Sequence, residues 1–257
     1  MKISIVVPSY NQSRFIEETF KNLKSLKSCL QKERIETEIL LFDSCSNEAV
    51  QTIIEKYRFL FDFLEIKKDK GQYDAINKGI EKASGDYWTW LNTDDLIDIQ
   101  GCIKVIQTLK RNNSIDYIYG NISIIDESGM QVKEYRPTVL SLDSLLHQSS
   151  TITQPGSFIR TSFTRKIGLL KPYHCCFDYE YILRVFSNKG NAYYLNETVS
   201  NFRYYADSKS GALENKFVNE QLQIRKVYQC KYLSHLTWKL YKRKARAMMS
   251  RTLNMIN

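Results

Sequence analysis

The run Leu91-Asn92-Thr93-Asp94-Asp95 places an amide and two carboxylates within four residues, directly after the apolar stretch 87–91. Hard divalent cations take carboxylate and carbonyl oxygens, and Mg²⁺ or Mn²⁺ commonly joins one or two carboxylates to substrate phosphates. The same residue types suit the first turn of a helix, where an aspartate accepts orphan backbone N–H groups. On these residues alone both uses stay open: cation binding by Asp94 and Asp95, or capping by either one of a helix before Gln100. Other chemistries lack their parts. No GxGxxG follows the first apolar run and no GxxxxGK[ST] occurs, so neither dinucleotide nor P-loop binding has its glycine cradle. Asp43 ends a second apolar run and could imitate a ribose-binding carboxylate, but the glycine loop that should accompany it is missing. His147, His174 and His235 are scattered and there is no GxSxG elbow, which leaves Ser-His-Asp hydrolysis unsupported. The six cysteines form no CxxC pair, so reduced thiols are expected rather than zinc or disulfides.

These residues must be positioned by elements, and the hydrophobic pattern supplies them. Residues 3–7 are β-branched except for Ser4 and are ended by Pro8, the signature of a strand buried on both faces. Ser13 is a candidate N-cap for a helix over 14–26, with Phe15, Thr19, Leu23 and Leu26 at helical spacing. Strands are predicted over 38–42, 61–66, 87–91 and 116–125, and helices over 47–57, 73–83 and around 103–109. Glu127-Ser128-Gly129 reads as a turn, and residues 130–215 as loops, a short hairpin and one helix. Strand–helix alternation predicts a parallel sheet covered on both faces, with ligands bound beyond the carboxyl ends of the strands. Asp43 and the 92–95 cluster stand at two of those ends.

Composition and charge limit the partners. The 257 residues are 43% hydrophobic and 25% charged, ordinary globular values that argue against a disordered or fibrous chain. No stretch approaches 18 uninterrupted apolar residues, and the N-terminus is too short for a secretory core, so a cytoplasmic protein without a leader is expected. The net charge is +9, but residues 221–257 hold nine basic side chains and no acidic one. Residues 1–220 therefore carry equal numbers of each sign, and no nucleic-acid partner is expected for this neutral body.

The stretches SIVVPSYNQSRFIEETFKNL, KDKGQYDAINKGIEKASGDYWTWLNTDD, QPGSFIRTSFTRKIG and FDYEYILRV together resemble the family-2 inverting glycosyltransferases of the GT-A fold, over roughly residues 1–210. The most specific part is a D-A-x-N-x-G helix leading through an apolar strand to an L-[DN]-x-D-D turn, matched by Asp74, Ala75, Asn77, Gly79, Gly85, Leu91, Asn92, Asp94 and Asp95. The resemblance implies a Rossmann-like α/β domain with a mainly parallel sheet and helices on both faces. Residues 1–125 would form its nucleotide-sugar half and 126–215 its acceptor half, with a basic helical tail over 216–257. It implies that Pro8 and Tyr10 line the nucleotide base and that Asp43 accepts a hydrogen bond from uracil. Asp74, Asn77 and Asn92 would lie near ribose and diphosphate. Asp94, with Asp95 beside it, would hold Mn²⁺ or Mg²⁺. Asp178 would be the general base, although it also suits the N-cap of the helix that carries Tyr181, Ile182 and Val185.

The chain departs from the family at four places, one of them Phe177 before Asp178 where many relatives have glutamate. Ser44-Cys45-Ser46 replaces glycine and small residues, Asn92 replaces the first acid of D-x-D, and Tyr205 replaces a histidine, leaving Arg203 or Lys209 as candidate cations for the phosphates. From Trp238, apolar or small residues recur at Tyr241, Ala245, Met248, Thr252 and Met255, while Lys239, Lys242, Arg243, Lys244 and Arg246 take other faces. Such a helix suits either an anionic membrane surface or packing on the body. The expected activity is transfer of a hexose or N-acetylhexosamine from a nucleotide-diphosphate sugar, most simply UDP-linked, to a polysaccharide or lipid-linked acceptor at the inner face of the plasma membrane. Two alternatives stand beside it: a nucleotidyltransferase that makes an activated sugar, and a non-catalytic homologue that binds nucleotide sugar or membrane.

Overall fold

The computed structural model describes residues 1–137, 139–148, 154–206, 214–230 and 234–254, with the side chains of 214 and 245–254 left aside. Lys209, Lys231 and Met255, and the side chains of Ala245, Arg246, Met248, Arg251 and Thr252, therefore lie outside the described residues. In chain order the elements are β1 (Lys2–Ser9), α1 (Ile16–Lys32), β2 (Glu36–Asp43), α2 (Glu48–Lys56), a 3₁₀ turn (Arg58–Leu60), β3 (Phe63–Ile66), α3 (Gln72–Lys82) and β4 (Tyr87–Trp90). There follow β5 (Leu96–Ile97), α4 (Ile99–Arg111), β6 (Tyr117–Ile125), β7 (Gln131–Tyr135), α5 (Leu142–His147), β8 (Ser157–Arg160) and α6 (Thr161–Ile167). The last are α7 (Phe177–Ser187), β9 (Ala192–Arg203), α8 (Glu214–Val227) and α9 (His235–Asn254).

One sheet runs in the order β3-β2-β1-β4-β8-β6-β9-β5, with β7 beside β6. Its first four strands are parallel. Antiparallel β8 joins them to the second half, where β6 and β9 are again parallel. The period-two alternation of β1 sorts its side chains into two cores. Ile3, Ile5 and Val7 pack with Phe20 and Leu23 of α1, Val50 and Ile54 of α2, and Val105 and Ile106 of α4. Val6 points the other way, among Ala75, Ile76 and Ile80 of α3 and Tyr179 and Leu183 of α7. A Cβ on Gly79 would lie 2.2 Å from Val6 Cγ1, so only glycine lets α3 come this close to β1. The result is a three-layer α/β/α domain whose β1, β2 and β4 end side by side.

Several local expectations change. The N-cap of α1 is Phe15, without a side-chain hydrogen bond, not Ser13. Neither Asp94 nor Asp95 caps α4: the two-residue strand β5 intervenes, and Asp98 accepts the Gly101 N–H at 2.7 Å instead. Among the described residues of 130–215 there are three helices, α5, α6 and α7, and the start of α8, rather than one. The turn after β6 is present, with the Asp126 carboxylate accepting the N–H groups of Ser128 and Met130.

Candidate active site

The carboxyl ends of β1, β2 and β4 open into a cavity of about 1210 Å³. Pro8, Tyr10, Ser44, Cys45, Lys68 and Gly71 line it. So do Trp90, Gln154, His174, Phe177, Asp178 and Phe217, with Asn92, Asp94, Arg203 and Tyr205 also in the wall. A cavity above the usual ~300–1,000 Å³ of a small-ligand pocket has room for a donor and the end of an acceptor.

The loops at the strand ends are tied to one another. Asn11, in the left-handed region at φ 51, donates its N–H to Ser46 Oγ and accepts the Asn47 N–H on Oδ1. Asp43 is buried, and its carboxylate is taken by the Ser46 N–H (2.8 Å), the Ser46 hydroxyl (2.6 Å) and Gln51 Nε2 (2.6 Å). Its side chain is therefore turned into its own loop, and the cavity wall at this point is Ser44 and Cys45. The Ser46 that departs from the family pattern is the residue that draws Asp43 inward. Tyr10 stands 66% exposed at the rim.

Asn77 is also occupied structurally. Its Nδ2 donates to the Leu170 carbonyl and its Oδ1 accepts the Leu170 N–H, each at 2.9 Å, which ties α3 to the loop before α7. Asp74 accepts the Lys70 N–H at 3.2 Å, a local bond at the start of α3. Neither residue lines the cavity, whereas Gly71 and Gln72 at the same helix start do.

The acidic turn divides into a facing and a backing carboxylate. Asp94 lines the cavity, where Oδ2 accepts the Tyr205 hydroxyl at 2.9 Å. Asp95 is fully buried behind it: Oδ1 accepts the Arg203 N–H at 2.9 Å and Oδ2 accepts Asn92 Nδ2 at 3.0 Å. Burial pushes Asp94 above the ordinary carboxylate value, against the hydroxyl of Tyr205. Burial, and then the charge of Asp94, push Asp95 well above it. Asn92 spends both ends of its amide, donating to Asp95 and accepting Gln72 Nε2 at 2.6 Å. An aspartate at 92 could not donate to Asp95, so the amide suits its buried neighbour.

Arg203 lines the cavity but is not a loose cation. Its guanidinium donates to the Asp94, Asp126 and Glu127 carbonyls and to Glu18, and its side chain is fully buried. Tyr205 also accepts Gln12 Nε2 at 2.7 Å and packs on the Phe15 ring at 5.1 Å. Burial first, and then Asp94, hold its hydroxyl above the ordinary tyrosine value. Asp178 lies in the first turn of α7, where it accepts the Tyr179 N–H at 2.7 Å; the N-cap is Cys176. Glu180 points elsewhere, buried against Arg184 and Lys171.

The donor set suits a hard cation. Asp94 offers a half-buried carboxylate that burial has raised, while the nearby guanidinium is committed to other acceptors. Among the described residues no three His, Cys, Asp or Glu side chains converge on one point, so most ligands of such an ion would come from substrate phosphate and water. Sequence reasoning assigned no part to Lys68, Gln72, Gln12 or Phe217. The first two fall in the quoted KDKGQYDA block, so a signal existed; Phe217 comes from a helix assigned to the tail.

Known proteins bear on this cavity. The family model described as glycosyl transferase family 2 matches residues 4–177. An uncharacterized glycosyltransferase of Haemophilus influenzae is 24% identical over 213 residues, 81% of this chain and 70% of the relative. The poly-beta-1,6-N-acetyl-D-glucosamine synthase of Staphylococcus aureus is 28% identical over 163 residues, covering 63% of this chain but only 38% of the synthase. Among solved structures, residues 1–349 of S. aureus TarS in complex with UDP-GlcNAc superpose with a TM-score of 0.68 at 17% identity, covering 96% of this chain and 71% of that one. The mannosyltransferase PcManGT from Pyrobaculum calidifontis, in complex with GDP-Man and Mn²⁺, gives 0.66 at 14%, covering 98% and 75%. These two likenesses establish the GT-A fold. The family match runs from the first strand to the start of α7, well over half of the chain, and the protein belongs to glycosyl transferase family 2.

Proposed function

We propose that this protein is a metal-dependent, inverting transferase that moves a hexose or N-acetylhexosamine from a UDP-linked donor to a hydroxyl of a polysaccharide or lipid-linked acceptor. The observation that carries the reading is that Asp94 and Asp178, on different elements, line one cavity. Asp94 accepts the Tyr205 hydroxyl there, and Lys68 and Gly71 line the same cavity. Phe177, next to Asp178 in the chain, has its ring 6.3 Å from that of Trp90, and with Phe217 these line the cavity with flat apolar surfaces of the kind that sugar rings stack on. That UDP-GlcNAc is bound in the TarS complex supports the choice of nucleotide.

In this reading Tyr10, Pro8, Ser44 and Cys45 surround the base, and Asp94 holds Mn²⁺ or Mg²⁺. When bound, the ion neutralises charge on the leaving diphosphate. Asp178 takes the acceptor hydroxyl's proton as that oxygen attacks C1. The C1–O bond to the diphosphate breaks on the opposite face, so configuration inverts. The site would work in the cytoplasm, with α9 resting on the inner face of the plasma membrane.

The test is a donor-by-donor assay with Mn²⁺ and oligosaccharide acceptors. Asp178→Asn keeps shape but cannot take a proton, so turnover should fall ~10²–10⁴-fold while UDP binding persists. Asp94→Ala should lose Mn²⁺-dependent UDP binding, and EDTA should silence the wild type. Full activity in EDTA would remove the metal from the reading. Turnover of Asp178→Asn within a few-fold of wild type would remove the base.

A further inference from the structure

The start of α7 is held from outside by a residue of the C-terminal region. The helix has no side-chain cap of its own: Cys176 occupies the N-cap position without a capping hydrogen bond from its side chain. Instead Glu220, on α8, accepts three successive backbone N–H groups. Oε1 takes His174 at 3.0 Å, and Oε2 takes Cys175 at 2.7 Å and Cys176 at 3.0 Å. A carboxylate at a helix N-terminus is favoured both by the orphan donors and by the dipole, and bonds to an ionised acceptor are the stronger kind. Two residues beyond this clamp comes Asp178.

Further contacts fix α8 to the same helix. The Cys176 thiol lies 3.5 Å from the Phe217 carbonyl, and the Tyr228 hydroxyl donates to Glu180 Oε1 at 3.1 Å. Phe217 also enters the cavity wall beside His174, Phe177 and Asp178. Thus α8, which follows the segment matched by the family model, reaches the acceptor end of the site both directly and through the backbone that presents Asp178.

We infer that Glu220 is a positioning residue for sugar transfer: it sets the 174–176 backbone, and thereby the placement of the Asp178 carboxylate against the acceptor hydroxyl. The inference rests on Asp178 being the base. Misplacing a reacting group by about 1 Å can cost ~10²-fold, so loss of the clamp should act on turnover without touching the donor end of the cavity.

A double-mutant cycle separates this role from a merely stabilising one. Glu220→Ala should lower kcat on the order of 10–100-fold, while Mn²⁺–UDP affinity by titration calorimetry stays within about twofold. Glu220→Gln keeps an acceptor oxygen for part of the clamp and should recover most of that loss. If the alanine variant does not fold, Glu220→Asp carries the cycle, because its shorter stem cannot reach all three N–H groups and should itself lower kcat several-fold. In the Asp178→Asn background either Glu220 change should cost no more than a few-fold, because the group it positions no longer takes a proton. Equal losses in both backgrounds, or a wild-type kcat for Glu220→Ala, would overturn the inference while leaving the base assignment standing. A near-wild-type Asp178→Asn would instead overturn the base assignment, and the inference with it.

Discussion

Tyr205 has no direct counterpart in the expected pattern, and its contacts say what it does. It donates to Asp94 from one side while Gln12 donates to it from the other, and its ring lies against Phe15. The hydroxyl therefore orients the carboxylate assigned to the cation rather than offering a second ligand. Outer-shell partners of this kind typically contribute ~10–100-fold in metal affinity. Tyr205→Phe should lower Mn²⁺ affinity in the presence of UDP by about that factor, with metal-free UDP binding unchanged, measured by titrating Mn²⁺ at fixed UDP. An unchanged Mn²⁺ affinity would show that Asp94 needs no such orientation. Asp94 was legible because a carboxylate directly after an apolar strand must emerge at the sheet edge. The inward turn of Asp95 was not, because its partner is the backbone of Arg203, 108 residues away. The partners of Asp43 and Asn77 were not legible either: Ser46 and Gln51 bond the one, the Leu170 backbone bonds the other, and neither lines the cavity.

At the scale of elements, the parallel half of the sheet was legible because β1, β2 and β4 are predominantly apolar where they are buried, and α1 and α2, amphipathic helices, follow the first two. The mixed half was not. The two residues of β5 carry too little pattern, and β5 exists because β9 pairs with it a hundred residues later. At the edge of the sheet remote from the cavity, β1 and β2 are joined by a buried charge. Glu38 of β2 accepts the Ser4 hydroxyl of β1 at 2.5 Å, the N–H and hydroxyl of Ser84 at 2.7 Å each, and lies 2.8 Å from Lys2 Nζ. Burial works to raise its carboxyl, but Lys2 and the hydroxyls outweigh that and hold it at about 2, against an ordinary 4.5. A depressed folded-state value stabilises above the unfolded value and is lost as pH falls through the folded one. The contribution should thus be full above pH 4.5 and gone near pH 2, worth about 3 kcal/mol. Urea unfolding across this range should show Glu38→Gln less stable than wild type at pH 7, with the gap closing towards pH 2. A gap independent of pH would mean that Glu38 acts through packing instead.

At the scale of the whole molecule, the question is what a neutral body does with nine basic residues gathered after position 220. Part of the answer is packing. Leu236 and Leu240 of α9 are buried against Val218 of α8, and Arg225 bonds Thr237, Ser234 and the Leu146 carbonyl. Arg225 thus belongs to the body. Of the stripe expected from Trp238, the described side chains are Trp238 and Tyr241, which are more than half and half exposed rather than packed on the body, beside exposed Lys239, Lys242 and Arg243, with Lys242 Nζ 3.5 Å from the centre of the Trp238 ring. No helix among the described residues is long and apolar enough to cross a membrane. An outward face of aromatic rings and cations is the composition that sits at a headgroup layer, and each basic residue near an anionic surface contributes ~1 kcal/mol. Deleting α9 would be a poor test, because it uncovers Val218 and strips Arg225 of Thr237, loosening the α8 that holds α7. Reversing three exposed charges is cleaner. Lys239→Glu, Lys242→Glu and Arg243→Glu together should weaken binding to vesicles rich in anionic lipid by at least ~100-fold, following from about 1 kcal/mol for each cation lost. Wild-type binding should itself weaken with salt, since exposed charges are screened over about 8 Å at physiological ionic strength. Turnover on a short soluble acceptor should be unaffected, because none of the three lines the cavity. Equal sedimentation of the two proteins with anionic vesicles would dismiss the membrane, and the basic face would then have to be explained by a protein partner.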